Sequence, residues 1–115
     1  MSKEEIEPKL ANIMSEIAEV EGIVAFDPKG YVISGQTIAN DDTSKIAKAA
    51  SELLPRLTLL GSNISKGSPK ELTITLSKGY AVIAYGSKYS IICFVGQDAK
   101  NQLGLISRQI KSIME

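Results

Sequence analysis

DDTSKIAKAASELLPRLTLLGSNI, residues 41–64, is the stretch whose reading decides the fold. Ile46, Ala50, Leu53, Leu57, Leu60 and Ile64 recur at spacings of four and three, the period of one helix face. Ala47, Ala49 and Leu54 widen the apolar arc to roughly 160° at about 100° per residue. Burying the large side chains of this stripe would stabilise the chain by roughly 1.5–3 kcal/mol each. A small domain holds only about 5–15 kcal/mol of net stability, so the stripe cannot stay wet. It is also wider than one sheet face needs. Either the helix is deeply buried, or it meets its own domain on one flank and a second subunit on the other.

A chain of 115 residues is expected to form one domain, 1–115, and can bury a core without disulfides or metals. Thirteen basic and thirteen acidic residues cancel, which argues against nucleic acid as the main partner. The single cysteine, Cys93, excludes an internal disulfide and a cysteine-based metal site. Histidine is missing, and with it the commonest general base and metal ligand. No cofactor and no metal site are expected. No apolar run approaches the roughly 20 residues of a membrane span. The start, MSKEEIEPK, is acidic and lacks an apolar signal core. The expectation is a cytoplasmic protein without direct membrane insertion.

Outward from the long helix, the chain alternates helical and strand patterns. Residues Glu7 to Val20 predict a first helix with Leu10, Ile13, Met14, Ile17 and Val20 on its apolar face. Ser2 and Glu5 fit a capping box that would start it earlier. Pro8 favours a start near itself, since proline suits a first turn better than a helix interior. Six glutamates against two lysines between Lys3 and Glu21 make this helix acidic. Gly22–Asp27 predicts a strand, Pro28-Lys29-Gly30 a turn, and Tyr31–Ser34 the returning strand. A loop over Gly35–Asn40 leads to Asp41 and Asp42, either of which could cap the long helix.

After the break Gly61–Lys70, three strands are expected: Glu71–Ser77, Tyr80–Tyr85 and Tyr89–Val95, joined by short turns as an antiparallel meander. The last helix should run from Asp98 to Met114, with Ala99, Leu103, Ile106, Ile110 and Ile113 inward and Lys100, Arg108 and Lys111 outward. GIVAF and YSIICFV are apolar on nearly both faces, which places them mid-sheet. Glu71–Ser77 alternates, with Leu72, Ile74 and Leu76 opposite Thr73 and Thr75. Such a strand belongs at an edge, where it is a pairing hazard unless covered.

Little in the chain points to reaction chemistry. GSNISKGS at Gly61–Ser68 resembles a phosphate loop only superficially: Lys66 and Gly67 are in the wrong order, and the segment follows a helix. Asp27, Asp41, Asp42 and Asp98 fall at turns and caps. Cys93 lies inside an apolar strand, as an inert buried thiol would. The outer face of the long helix is more informative. It carries Lys45, Lys48, Glu52, Arg56 and Leu59. A solvated face with one stray leucine accounts for them, and so does a partner patch; a kink at Pro55 would turn Leu59 inward.

In this order of elements the chain resembles the Roadblock family, the dynein light chain roadblock-type domains. GIVAFDPKGYVIS at Gly22–Ser34 is similar to the family's first hairpin, and Glu71–Val95 to its last three strands. NQLGLISRQI at Asn101–Ile110 is similar to its Asn-Leu-Gly-Leu start of the last helix, with Gln102 inserted or substituted. Gly104 inside a helix costs about 1 kcal/mol relative to alanine, which close approach to the sheet would offset. The resemblance implies an α+β, profilin-like fold, α-ββ-α-βββ-α. Its five-stranded antiparallel sheet has the order 2-1-5-4-3, with the first and last helices on one face and the long helix on the other.

The resemblance also implies homodimers that pair third strands edge to edge and pack long helices together. The expected dimer residues are Ile46, Ala50, Leu53, Leu54, Leu57 and Leu60 on the helix, with Leu72, Thr73, Ile74, Thr75 and Leu76 on the strand. The implied role is a non-enzymatic scaffold or regulator of a Ras-like small GTPase, or a motor and cargo light chain. The partner would meet Lys45, Lys48, Glu52, Arg56 and Leu59. Arg56 and Arg108 are the only conceivable arginine fingers. A ligand sensor of the PAS or GAF kind shares a similar sheet but needs an internal pocket, for which the crowded Ile and Val strands leave little room. An enzyme lacks any nucleophile–base pattern here.

Overall fold

The computed structural model describes residues 2–114. Its elements are α1 Lys3–Glu16, β1 Val20–Phe26, β2 Val32–Thr37, α2 Thr43–Asn63, β3 Glu71–Leu76, β4 Gly79–Ala84, β5 Ser90–Gly96, a 3-10 turn Gln97–Gln102, and α3 Leu103–Met114. The strands form one antiparallel sheet in the order β2-β1-β5-β4-β3. This is the α+β architecture implied by the resemblance.

The placement of each strand follows from its side chains. β1 and β5 are buried on both faces and occupy the centre, where cover on both sides keeps their apolar residues from water. β3, the alternating strand, is an edge. On one face Ile6, Leu10 and Ile13 of α1 and Ile106 and Ile110 of α3 pack on Ile23, Ala25, Val82 and Ile91. On the other, Ala47 and Ala50 of α2 pack on Val24, Phe26, Ala81, Ile83 and Ile92. Gly22 lies beneath the ring of its cross-strand partner Phe94, which occupies the space a side chain would need.

Several boundaries differ from the sequence reading. α1 begins at Lys3, with Ser2 at the N-cap, and ends at Glu16 rather than Val20. The Ser2 hydroxyl donates to the Glu5 carboxylate at 3.3 Å, so the side-chain half of a capping box is missing. Ile6 is fully buried one turn before Leu10, and that burial holds the early turn. Pro8 is therefore inside the helix, where the bond it forfeits falls on an exposed turn. Val20 opens β1 instead of closing α1.

The segment expected as a loop after Ser34 continues as β2 to Thr37, because its backbone completes the ladder with Gly22 and Ile23. The last helix opens with a 3-10 turn, and α-helical bonding starts only at Leu103. Gly104 does not approach the sheet. It is exposed, and a methyl group there would meet nothing within 4 Å.

Candidate interaction surface

Asp42, rather than Asp41, caps α2. Its carboxylate accepts from the Ser44 and Lys45 amides at 3.1 and 3.2 Å and from the Ser44 hydroxyl at 2.6 Å. The Ser44 hydroxyl bond first, and then the Lys45 amide, hold its carboxyl below the usual carboxylate range. From this anchored start the apolar stripe meets the sheet only briefly. Ala47 and Ala50 are its buried residues, and Ile46 is half-buried beside them.

After Ala50 no residue of α2 is buried, although residues 51–63 include five leucines. Leu54 and Leu57 are half-buried; Leu53 and Leu60 are exposed, Leu60 by 55%. Ile64 just beyond the helix is equally open. The structure thus excludes a helix deeply buried in its own domain. The chain covers the β1–β2 side of this sheet face with α2, and the β3 side stays thinly covered.

β3 carries an exposed apolar residue as well. Leu72 and Ile74 are half-buried against the core beneath α2, while Leu76 on the same face is 57% exposed. Thr73 and Thr75 point to the opposite face and are exposed. β3 pairs with β4 alone, so its outer backbone edge has no strand beside it. At its start Glu71 is tied to α3 by the Lys111 ammonium at 2.6 Å and by the Ser107 hydroxyl. Burial pushes the Glu71 carboxyl up, but these two donors outweigh it, and its pKa falls below the ordinary value.

The outer face of α2 carries Lys45, Lys48, Glu52, Arg56 and Leu59 together, all exposed. Leu59 is not turned inward by Pro55: it stays more than half exposed on a helix assigned without a break. Pro55 lacks the amide that would bond the Ser51 carbonyl. Beside that gap, the Tyr85 hydroxyl donates to the Ala50 carbonyl at 3.0 Å, and Thr58 donates to Leu54 at 2.8 Å. The Tyr85 contact, which pins α2 to the end of β4, was not legible in sequence: its partner is a backbone carbonyl 35 residues away.

Exposed Tyr31, at the β1–β2 turn beside Lys45 and Lys48, also escaped the sequence reading, being taken only as a strand residue. Cys93 is buried, and burial pushes its thiol up to about 12, which removes thiolate reactivity near neutral pH. Among the described residues no helix is long and apolar enough to cross a membrane.

Comparison with known proteins identifies this geometry. The model of the Roadblock/LC7 domain family matches residues 10–95. Against curated protein sequences the chain has no significant match. Among solved structures it is similar to a Roadblock/LC7 domain from Streptomyces avermitilis, with a TM-score of 0.81 and 15% identity over 93% of this chain and 89% of that one. It is similar to Myxococcus xanthus MglB, with a TM-score of 0.83 and 18% identity over 96% of this chain and 83% of that one. An MglB with a tetrameric arrangement gives a TM-score of 0.83 at 13% identity, over 94% and 81% of the two chains. At such identities these likenesses concern the fold.

Proposed function

Because the chain belongs to the Roadblock/LC7 domain family, we propose that it is a non-enzymatic homodimeric adaptor, one domain over residues 1–115, that binds and regulates a Ras-like small GTPase in the cytoplasm. The observation that carries this reading is the exposure of Leu53 and Leu60 on α2 together with that of Leu76 on the edge strand β3. A second copy related by a twofold axis would pair its β3 edge and lay its α2 alongside, covering both features at once. In that arrangement Ile46, Ala50, Leu53, Leu54, Leu57 and Leu60 pack between copies and sheet, with residues 72–76 forming the strand contact. One MglB of similar fold has a tetrameric arrangement, which is consistent with assembly.

Lys45, Lys48, Glu52, Arg56 and Leu59 are then the partner-facing set. Regulation would act by positioning the GTPase's own switch residues. Arg56 on α2 and Arg108 on α3 sit on opposite faces of the sheet, so one contact surface cannot use both from the same copy. A motor or cargo light-chain scaffold would use the same dimer for a different partner. A PAS- or GAF-like sensor has less support: Val24, Phe26, Ala50, Ile83 and Ile92 fill the space between α2 and the sheet.

Light scattering on the purified chain should give the mass of two copies. The small GTPases of the source organism, loaded in turn with GDP and a non-hydrolysable GTP analogue, should include one that binds in only one state and whose hydrolysis or exchange rate changes. A folded monomer would sink the dimer. Failure of every GTPase to bind in either state would sink the regulatory role.

A further inference from the structure

The β1–β2 turn and the first two turns of α2 enclose a groove of about 370 Å3, lined by Gly30, Tyr31, Val32, Ser44, Lys45 and Lys48. We infer that this groove docks an acidic segment of a partner protein that carries an aromatic or leucine side chain. The inference deepens the partner-facing surface proposed above, and rests on that reading in taking Lys45 and Lys48 as partner-facing.

Three features support it. The first is a rigid frame. The Asp27 carboxylate accepts from the Lys29 and Tyr31 amides at 2.9 and 3.0 Å, and the Asp27 amide donates to the Tyr31 carbonyl at 2.9 Å. Gly30 has φ +89° and sits against Ser51 and Lys48 of α2, where a side chain would have no room. The turn is thus fixed both to itself and to the helix, so binding would require little ordering.

The second is an exposed aromatic on that frame. Tyr31 is 68% exposed. Tyr85 and Tyr89, by contrast, each donate a hydroxyl to a backbone carbonyl. An aromatic with few rotatable bonds on a fixed backbone is a low-entropy contact residue. The floor beneath it is apolar, from Gly30 and Val32.

The third is charge. Lys45 and Lys48 flank the groove and Lys29 stands in the adjoining turn. None of them makes an ion pair among the described residues. The nearby acids Asp27, Asp41, Asp42 and Glu52 keep their charge, and Lys45 attracts Asp42, but no acid lines the groove, whose charged lining is Lys45 and Lys48. The charge on the groove's own wall is therefore positive and faces an apolar slot, which suits carboxylates around an apolar anchor. A phosphate group fits less well. It would seek the amides at the start of α2, and the Asp42 carboxylate already holds those.

The test is selection of random peptides displayed on phage against the full chain, followed by anisotropy of the enriched peptides at fixed ionic strength. The expected consensus holds acidic residues around an aromatic or leucine. Tyr31→Ala and the double change Lys45→Glu/Lys48→Glu should each weaken binding by about tenfold or more, as removal of a contact anchor does. Tyr31→Phe and Lys66→Glu/Lys70→Glu should leave it within about twofold, the range of an uninvolved surface change. No consensus, a consensus without acids, indifference to Tyr31→Ala, or displacement by millimolar phosphate would each overturn the inference. No GTPase enters this assay. A GTPase that binds while no acidic peptide is selected leaves the regulatory reading standing and removes this one; the reverse result separates them the other way.

Discussion

Leu60→Glu isolates the proposed dimer from the fold. Leu60 is 55% exposed in the single chain, and α2 has no buried residue after Ala50. Complete burial of a leucine is worth roughly 1.5–3 kcal/mol, so covering the open half would contribute about 1–1.5 kcal/mol. A twofold interface uses the residue twice, giving about 2–3 kcal/mol per dimer. Glutamate loses that contribution and adds the cost of desolvating a carboxylate. At about 1.4 kcal/mol per tenfold change, the dissociation constant should rise at least about thirtyfold. The monomer itself should lose no more than about 0.5 kcal/mol, as exposed helix substitutions do. Sedimentation equilibrium reads the first quantity and urea unfolding of the dissociated variant the second. Leu59→Glu is the matched control, since Leu59 is 53% exposed and lies about 100° around the same helix, on the side of Lys45, Lys48 and Arg56. If Leu60→Glu sediments as the parent does, or Leu59→Glu dissociates the dimer equally, the apolar ridge is not the interface.

Two further outcomes bear on the chain itself. Gly104→Ala should raise stability by about 0.5–1 kcal/mol, because the glycine lies in an exposed helix with open space where the methyl would go. That is about 4 °C in thermal unfolding for a domain of this size, and a fall in Tm would show that something does pack there. Glu71 has its folded pKa below its unfolded one, so its contribution is present above the ordinary carboxylate range and is lost as pH falls through the folded value. Lys111 is half exposed, which limits the effect to a few tenths of a kcal/mol. Urea titrations from about pH 6 to pH 3 should show the parent losing that much more stability than Glu71→Gln; an equal loss in both would refute the role of the pair.

How much was legible depended on whether the deciding partner was local or distant. The residues alone place β1 and β5 mid-sheet, through their continuous apolar runs, and β3 at an edge, through its alternation; the full strand order comes only from the family resemblance. Helix ends were harder. Pro8 is a local signal for a helix start, yet Ile6 is held by the sheet and by α3, and that burial outweighs the proline. Asp98 is a good cap in sequence, but the chain leaving β5 first makes a 3-10 turn before α-helical bonding sets in at Leu103. The groove beside Tyr31 needed two elements in contact, the turn and α2, and no spacing within either one reveals it.

The α2 stripe shows the limit most clearly. A helical period states which residues share a face; it does not state whether the chain supplies anything to cover that face. Here the cover ends at Ala50, where the Tyr85 hydroxyl pins the helix to the end of β4. Pro55 then removes one bond from the ladder about a turn later, at a point where the helix no longer rests on its own buried core. At the far end the chain turns back tightly: the Lys66 amide donates to the Gly61 carbonyl at 2.8 Å, and Ser65 takes a left-handed φ of 59°. Gly61 tolerates this because the Gly67 carbonyl occupies the place of its missing side chain. Residues 51–63 are therefore fixed at both ends by specific bonds while Leu53, Leu59 and Leu60 stay exposed between. The geometry fits the proposed second copy, and if light scattering gives that dimer, the dimer is the unit on which a partner should be sought.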